Sequence, residues 1–358
     1  MSEALLTQNY YFDAQGRKDP FYDMSYFCLV TCIYQIYKNA QPQAQQVMYS
    51  LIDDLSVFMI LNQEREIEEI FTNEIATESC NYSLEEYEGE EGLKVLHQLL
   101  EEGKPVIVCT VTELLDFSIN YTPDYDLKEF EPGHVFIILH FDGENYYYLE
   151  DPFAQINYDY FIPYKERKDI GVMPKEKMEA AFNGYLQCII AKLNLEQSHL
   201  VEERVKQSIL SSVQNYYKPN ENLESGKVKY TGRNVICELM KLVEKGLDLN
   251  GSIPGVTTKL IGFIPWLCSI LYKKRKLLTL GLKDLSDKYE TFEVAPELFE
   301  CLKQSEKKWT KFKNRIEKNK VRHIESLDES YIPVLKEILE VEDQLNELLK
   351  ICLENIQF

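Results

Sequence analysis

Hydrophobic and polar positions change period near the middle of the chain. Through Leu193, short apolar runs rich in β-branched and aromatic residues alternate with Gly, Pro and Asp. Pro105–Val111, Val135–Phe141, Tyr146–Leu149, Ile156–Ile162 and Tyr185–Leu193 read as strands. Between them the period lengthens. A helix is predicted from Cys28 to about Asn39, and a second over Gln43–Leu61, where Val47, Leu51, Leu55 and Phe58 recur at helical spacing. Glu91–Glu102 is a third, with Leu93, Leu96, Leu99 and Leu100 inward and Gly103 closing it; Lys175–Phe182 is a fourth. Acidic Glu64–Glu91 is expected at the surface, and Leu114–Glu131 as a long loop or partly helical excursion. From Glu196 the helical period is continuous over Glu196–Tyr217, Gly232–Lys245, Leu260–Lys288, Pro296–Ile324 and Ser330–Ile356, with a linker-like turn at Pro219–Lys229. The pattern predicts an α+β domain over 1–195 and an all-α helical domain over 196–358.

One hairpin concentrates the chemistry. His134 begins the Val135–Phe141 strand, Asp142-Gly143 turns the chain, and Asp151 follows the Tyr146–Leu149 strand, with Pro152 ending the ladder. Both positions lie at one end of an antiparallel pair, so Asp151 can orient His134 and stabilise its imidazolium. A nucleophile lies upstream. Cys28 heads a helix whose Cys28, Cys32 and Ile36 share one face. The helix N-terminus and a neighbouring imidazolium would lower its pKa below the free-thiol value of roughly 8.5. Singly, each residue has a plain structural reading: a buried inert thiol, a hydrogen-bonded strand histidine, a turn-capping aspartate. Together, helix Cys, strand His and Asp after the next strand follow the order of a papain-like cysteine-protease-type fold. His140 is the competing base, toward the far end of the same strand; His97 is expected to face out of its helix, and His199 and His323 fall in the helical half.

Composition narrows the setting. At 358 residues the chain can form two cores. Nine cysteines, an odd number without framework spacing, suit a reducing compartment. Cys28 and Cys32 have no second pair at ligand spacing, so no structural metal is expected, and without a phosphate-cradling or dinucleotide loop neither is a cofactor. The N-terminal residues lack a secretory pattern. Leu260–Tyr272, the longest apolar run, contains Pro265 and is shorter than the roughly 20 residues a bilayer requires. The expectation is a cytoplasmic protein without a membrane partner.

The net charge of −20 is uneven: 13 Lys+Arg stand against 34 Asp+Glu through Asn194, and the totals of 39 and 59 leave 26 and 25 beyond it. Such an acidic first half argues against a nucleic-acid partner. The second half carries basic clusters at Lys273–Lys276 and Lys303–Arg322, each readable as a solvated helix face or as a dock for an acidic protein.

Cys28, Gly103-Lys-Pro-Val-Ile-Val108, Gly133-His-Val-Phe-Ile-Ile138 and Glu150-Asp-Pro152, in that order, resemble the butirosin biosynthesis protein H family, a papain-like group. Thr231-Gly-Arg-Asn-Val-Ile236 and Lys308-Trp309 resemble its helical extension. The resemblance implies an acyltransferase in antibiotic or nonribosomal-peptide biosynthesis. It would move an acyl group from the phosphopantetheine thioester of a carrier protein, through Cys28, to a small-molecule amine. His134 and Asp151 would be base and orienter. Papain-like peptidases carry a Gln oxyanion donor six residues before the Cys, where this chain has Tyr22. Hydrolysis by a cysteine peptidase or amidase is the alternative, and a catalytically inactive carrier-binding module is a third reading.

Overall fold

The computed structural model describes residues 10, 28–38, 54–72, 82–118, 121–122, 125–127, 134–150, 170–193, 199–251, 259–288 and 293–355. In chain order these form α1 (Cys28–Tyr37), β1 (Phe58–Leu61), β2 (Ile67–Phe71), β3 (Tyr82–Glu88), α2 (Gly89–Glu101), β4 (Val106–Thr110), β5 (Val135–Phe141), β6 (Asn145–Leu149), β7 (Ile170–Pro174), α3 (Lys175–Gly184) and β8 (Leu186–Leu193). Then follow α4 (His199–Tyr216), β9 (Glu221–Asn222), β10 (Val228–Thr231), α5 (Arg233–Glu244), β11 (Leu247–Asp248), α6 (Leu260–Lys288), α7 (Pro296–Val321), β12 (Ser326–Leu327) and α8 (Ile332–Asn355). The protein is thus mixed α and β, with antiparallel sheets and a C-terminal helical region. Among the described residues, no helix is long and apolar enough to cross a membrane. The chain divides into two compact units, residues 1–47 with 80–196, and residues 48–79 with 197–358.

The first unit is built on a six-stranded sheet of order β3-β8-β4-β5-β6-β7, antiparallel throughout. β4 is buried at all five positions, as a β-branched strand covered on both faces should be. Leu96 and Leu100 of α2, with Met178 and Phe182 of α3, close a core over Val106, Val108, Phe136, Ile138, Tyr146 and Tyr148. Gly103 ends α2 at φ 73, where a Cβ would be strained. Between β5 and β6, Asp142 Oδ1 accepts from the amides of Glu144 (2.9 Å) and Asn145 (2.7 Å), fixing the turn.

The second unit corrects the sequence reading in two respects. It is not all-α: β2-β1-β10-β9 form an antiparallel sheet. Residues 54–61, expected within a helix, contain β1, and 48–79 belong to this unit because Phe58–Leu61 pairs with Val228–Thr231. Both faces of β1 are apolar, which hid its two-residue period. Val57, Met59 and Leu61 enter the core, while Phe58 stacks on Phe71 with ring centroids 5.2 Å apart. The predicted helices from 199 onward form, and α6, α7 and α8 pack on one another.

The Lys273–Lys276 cluster is not an exposed dock. Lys274 is fully buried, donating to the Asp54 carbonyl (2.8 Å) and Thr72 Oγ1 (3.0 Å), and so ties the ends of the β1–β2 hairpin to α6. Arg275 is buried in a bidentate pair with Glu342. Both side chains sit on the inward face of α6.

Candidate active site

α1 carries Cys28 and packs on β5 and β4. The face predicted from helical spacing is the one used: Cys32 is buried with its sulfur 3.8 Å from the carbonyl of Val135. Cys28, one turn earlier on that face, then lies beside His134, the residue preceding Val135. The Cys28 and His134 side chains are hydrogen-bonded to each other. His134 Nε2 is 2.7 Å from Glu150 Oε2. The Glu150 side chain is 3% exposed and that of His134 24%.

The carboxylate on His134 is therefore Glu150, the residue before the predicted Asp151, which lies outside the described residues, as does Tyr22. Near the turn, β5 and β6 pair His140 with Tyr147 and Phe141 with Tyr146; past Leu139 the register shifts, setting Ile138 opposite Tyr148 and Ile137 opposite Leu149. Continued from the turn without that bulge, the two-residue period would put position 151 on the side of His134. With the extra residue, position 150 takes that side. The bulge was the missed signal, since no single residue type marks it.

The electrostatics suit a thiol-activating base. Burial alone would push the His134 pKa down. The Glu150 charge and the hydrogen bonds His134 makes with Glu150 and Cys28 outweigh burial, raising it well above the ordinary histidine value. A short contact between an imidazolium and a buried carboxylate is among the stronger hydrogen bonds a protein makes.

The other thiols are placed differently. Cys32, Cys109, Cys188, Cys268, Cys301 and Cys352 are buried. Burial pushes the pKa of Cys188, Cys268 and Cys301 up to about 12 and that of Cys352 to about 11. Among the described cysteines only Cys28 and Cys237 are partly exposed. The competing bases are committed elsewhere. His140 packs beside Tyr147 near the turn, and His97, rather than facing out, lies 3.1 Å from the Tyr146 hydroxyl and edge-on to Phe141. Among the described residues, no three His, Cys, Asp or Glu side chains converge as metal ligands. Compared with protein-family models and with curated proteins, the chain matches none.

Proposed function

We propose that the protein is a papain-like, cysteine-dependent acyltransferase that takes an acyl group from a carrier-protein thioester and passes it to an amine in secondary-metabolite biosynthesis. The observation that carries this reading is His134 held between the Cys28 thiol and the buried Glu150 carboxylate. His134 accepts the Cys28 proton, and the sulfur attacks the thioester carbonyl. The Cys28 backbone N–H, at the head of α1, donates to the oxyanion. Collapse breaks the carbon–sulfur bond to the carrier arm, whose thiolate takes the proton back from His134. The amine then attacks the Cys28 thioester, His134 accepts its proton, and the amide leaves as the sulfur is released. Glu150 stabilises the imidazolium through both halves.

A peptidase or amidase would use the same residues with water as acceptor. Incubation with small-molecule acyl thioesters, followed by intact-mass analysis, separates the readings. Acyl transfer predicts an adduct on Cys28 that persists in water and is discharged to amide by added amines. A rapidly hydrolysed adduct would favour the hydrolase, and no adduct with any thioester would leave an inactive module.

A further inference from the structure

The second unit has a groove that the acyl-transfer chemistry does not use. It measures about 870 Å³ and runs along α7 opposite Ile324–Tyr331. Lys307, Lys311, Arg315, Lys318 and Arg322 line it, spaced by four, four, three and four residues, so they form one ladder along a helix face. At 1.5 Å per residue the ladder is about 22 Å long, the length of four helical turns.

Acidic side chains on the walls offset only part of it. Glu306 lies 3.5 Å from Lys276, and Asp328, which accepts from the Ser330 amide at 3.0 Å, faces the Arg315 charge. Lys311 is shared with Glu337 at 2.8 Å, whereas Lys307, Lys318 and Arg322 form no ion pair among the described residues. Arg315 is held ready, its Nη2 2.8 Å from Ser330 Oγ and its guanidinium 4.2 Å above the Tyr331 ring. Apolar side chains lie at the C-terminal end of the ladder: Ile324, 41% exposed, lines the groove, and Val321, 80% exposed, lines an adjoining hollow that shares Lys318 and Arg322 with it.

We propose that this groove docks an acidic amphipathic helix of the protein that delivers the acyl thioester. The proposal rests on the acyl-transfer reading for its partner. Cations in a ladder match carboxylates at i, i+4, and Val321 with Ile324 match apolar residues interleaved with them, a combination that a nucleic-acid backbone or free phosphate would not need. Charge also places the contact here. The first unit carries 12 Lys+Arg against 27 Asp+Glu, leaving 27 against 32 for the second, so an acidic partner is repelled by the unit that bears Cys28. The groove supplies the attraction that unit lacks.

The test uses the full chain and a fluorescein-labelled 15-residue helical peptide with Glu at i, i+4 and Leu interleaved. Controls are a scrambled peptide of the same composition, a single-stranded oligonucleotide and inorganic phosphate. The amphipathic peptide should bind best, and Lys307→Glu, Lys318→Glu and Arg322→Glu combined should weaken it roughly tenfold or more, as should raising the salt from about 50 to 300 mM. These three side chains are on the groove surface, and an unchanged circular-dichroism melt confirms that the triple variant folds. Acylation of Cys28 by a small free thioester should be the same in parent and variant. Equal peptide binding by parent and variant, no binding by the parent, or tighter binding of the oligonucleotide or scrambled peptide would each overturn the docking proposal. Failure of Cys28 to acylate, with groove binding intact, would instead overturn the acyl-transfer reading.

Discussion

Two buried carboxylates, one in each unit, show how similar ingredients serve different ends. Glu342, in α8, is saturated. It accepts from Arg275 Nη2 at 2.8 Å on each oxygen, and its Oε1 also accepts from Trp309 Nε1 at 2.8 Å and from Ser305. Arg275 in turn donates to the Leu271 carbonyl at 2.6 Å. Every element of that cluster lies on α6, α7 or α8, and both charges are sealed from water. Glu150 is equally buried, but its partner His134 is a quarter exposed and shares its other side with a partly exposed thiol. A guanidinium never gives up its proton, so the first pair can only hold helices together. An imidazole can pass its proton on, so the second pair can exchange one with the thiol beside it.

Removing one member is the strongest way to break this contrast. Glu342→Ala strands the Arg275 charge and should cost about 3–5 kcal/mol of stability in a denaturant melt. Replacing both residues, with Arg275→Met and Glu342→Leu, should recover most of that loss, because the pair's attraction only offsets its own desolvation. If the double replacement is as unstable as the single, the cluster does more than satisfy itself. The next largest effect concerns the buried ammonium that the charge pattern concealed. Lys274→Met leaves the Asp54 carbonyl without its ammonium donor and should cost about 1–3 kcal/mol. No change in the melt would mean that the β1–β2 hairpin is held without it.

Glu150→Gln should have the smallest stability effect and a distinctive pH dependence. Because His134 has a raised pKa in the folded protein, its protonation stabilises the fold fully below the unfolded histidine value of about 6.5. That contribution disappears as pH rises through the folded pKa. The parent should therefore exceed Glu150→Gln in stability by about 1–2 kcal/mol between about pH 5 and 6.5, the two converging in more alkaline solution. A gap that widens with pH would have the wrong sign for an imidazolium–carboxylate pair.

Local chemistry was legible where one face of an element dominates. Cys28 and Cys32 one turn apart on a helix, His134 before a β-branched strand and the Asp142-Gly143 turn all follow from spacing alone, as do the long helices after 199. Two kinds of feature were not. The bulge after Ile138 is a one-residue insertion without a sequence mark of its own, and it sets Glu150 on the side of His134. The β1–β10 pairing joins segments about 170 residues apart, so nothing local to Phe58–Leu61 could reveal its partner. Charge runs mislead for a related reason: within Lys273–Lys276, Lys274 and Arg275 are buried, and only the tertiary partners explain it.

The central claim is that Cys28 is a nucleophile activated by His134 and Glu150, and thiol labelling tests it most directly. Iodoacetamide labelling of the folded protein at neutral pH, read by peptide mass spectrometry, compares Cys28 with Cys237, the other partly exposed thiol among the described residues. Cys28 should label first. His134→Ala should slow it by roughly tenfold or more, because the sulfur then loses the base beside it that takes its proton. Glu150→Gln should slow it more than Asp151→Asn does. Labelling of Cys237 ahead of Cys28, or a Cys28 rate unchanged in His134→Ala, would contradict the account.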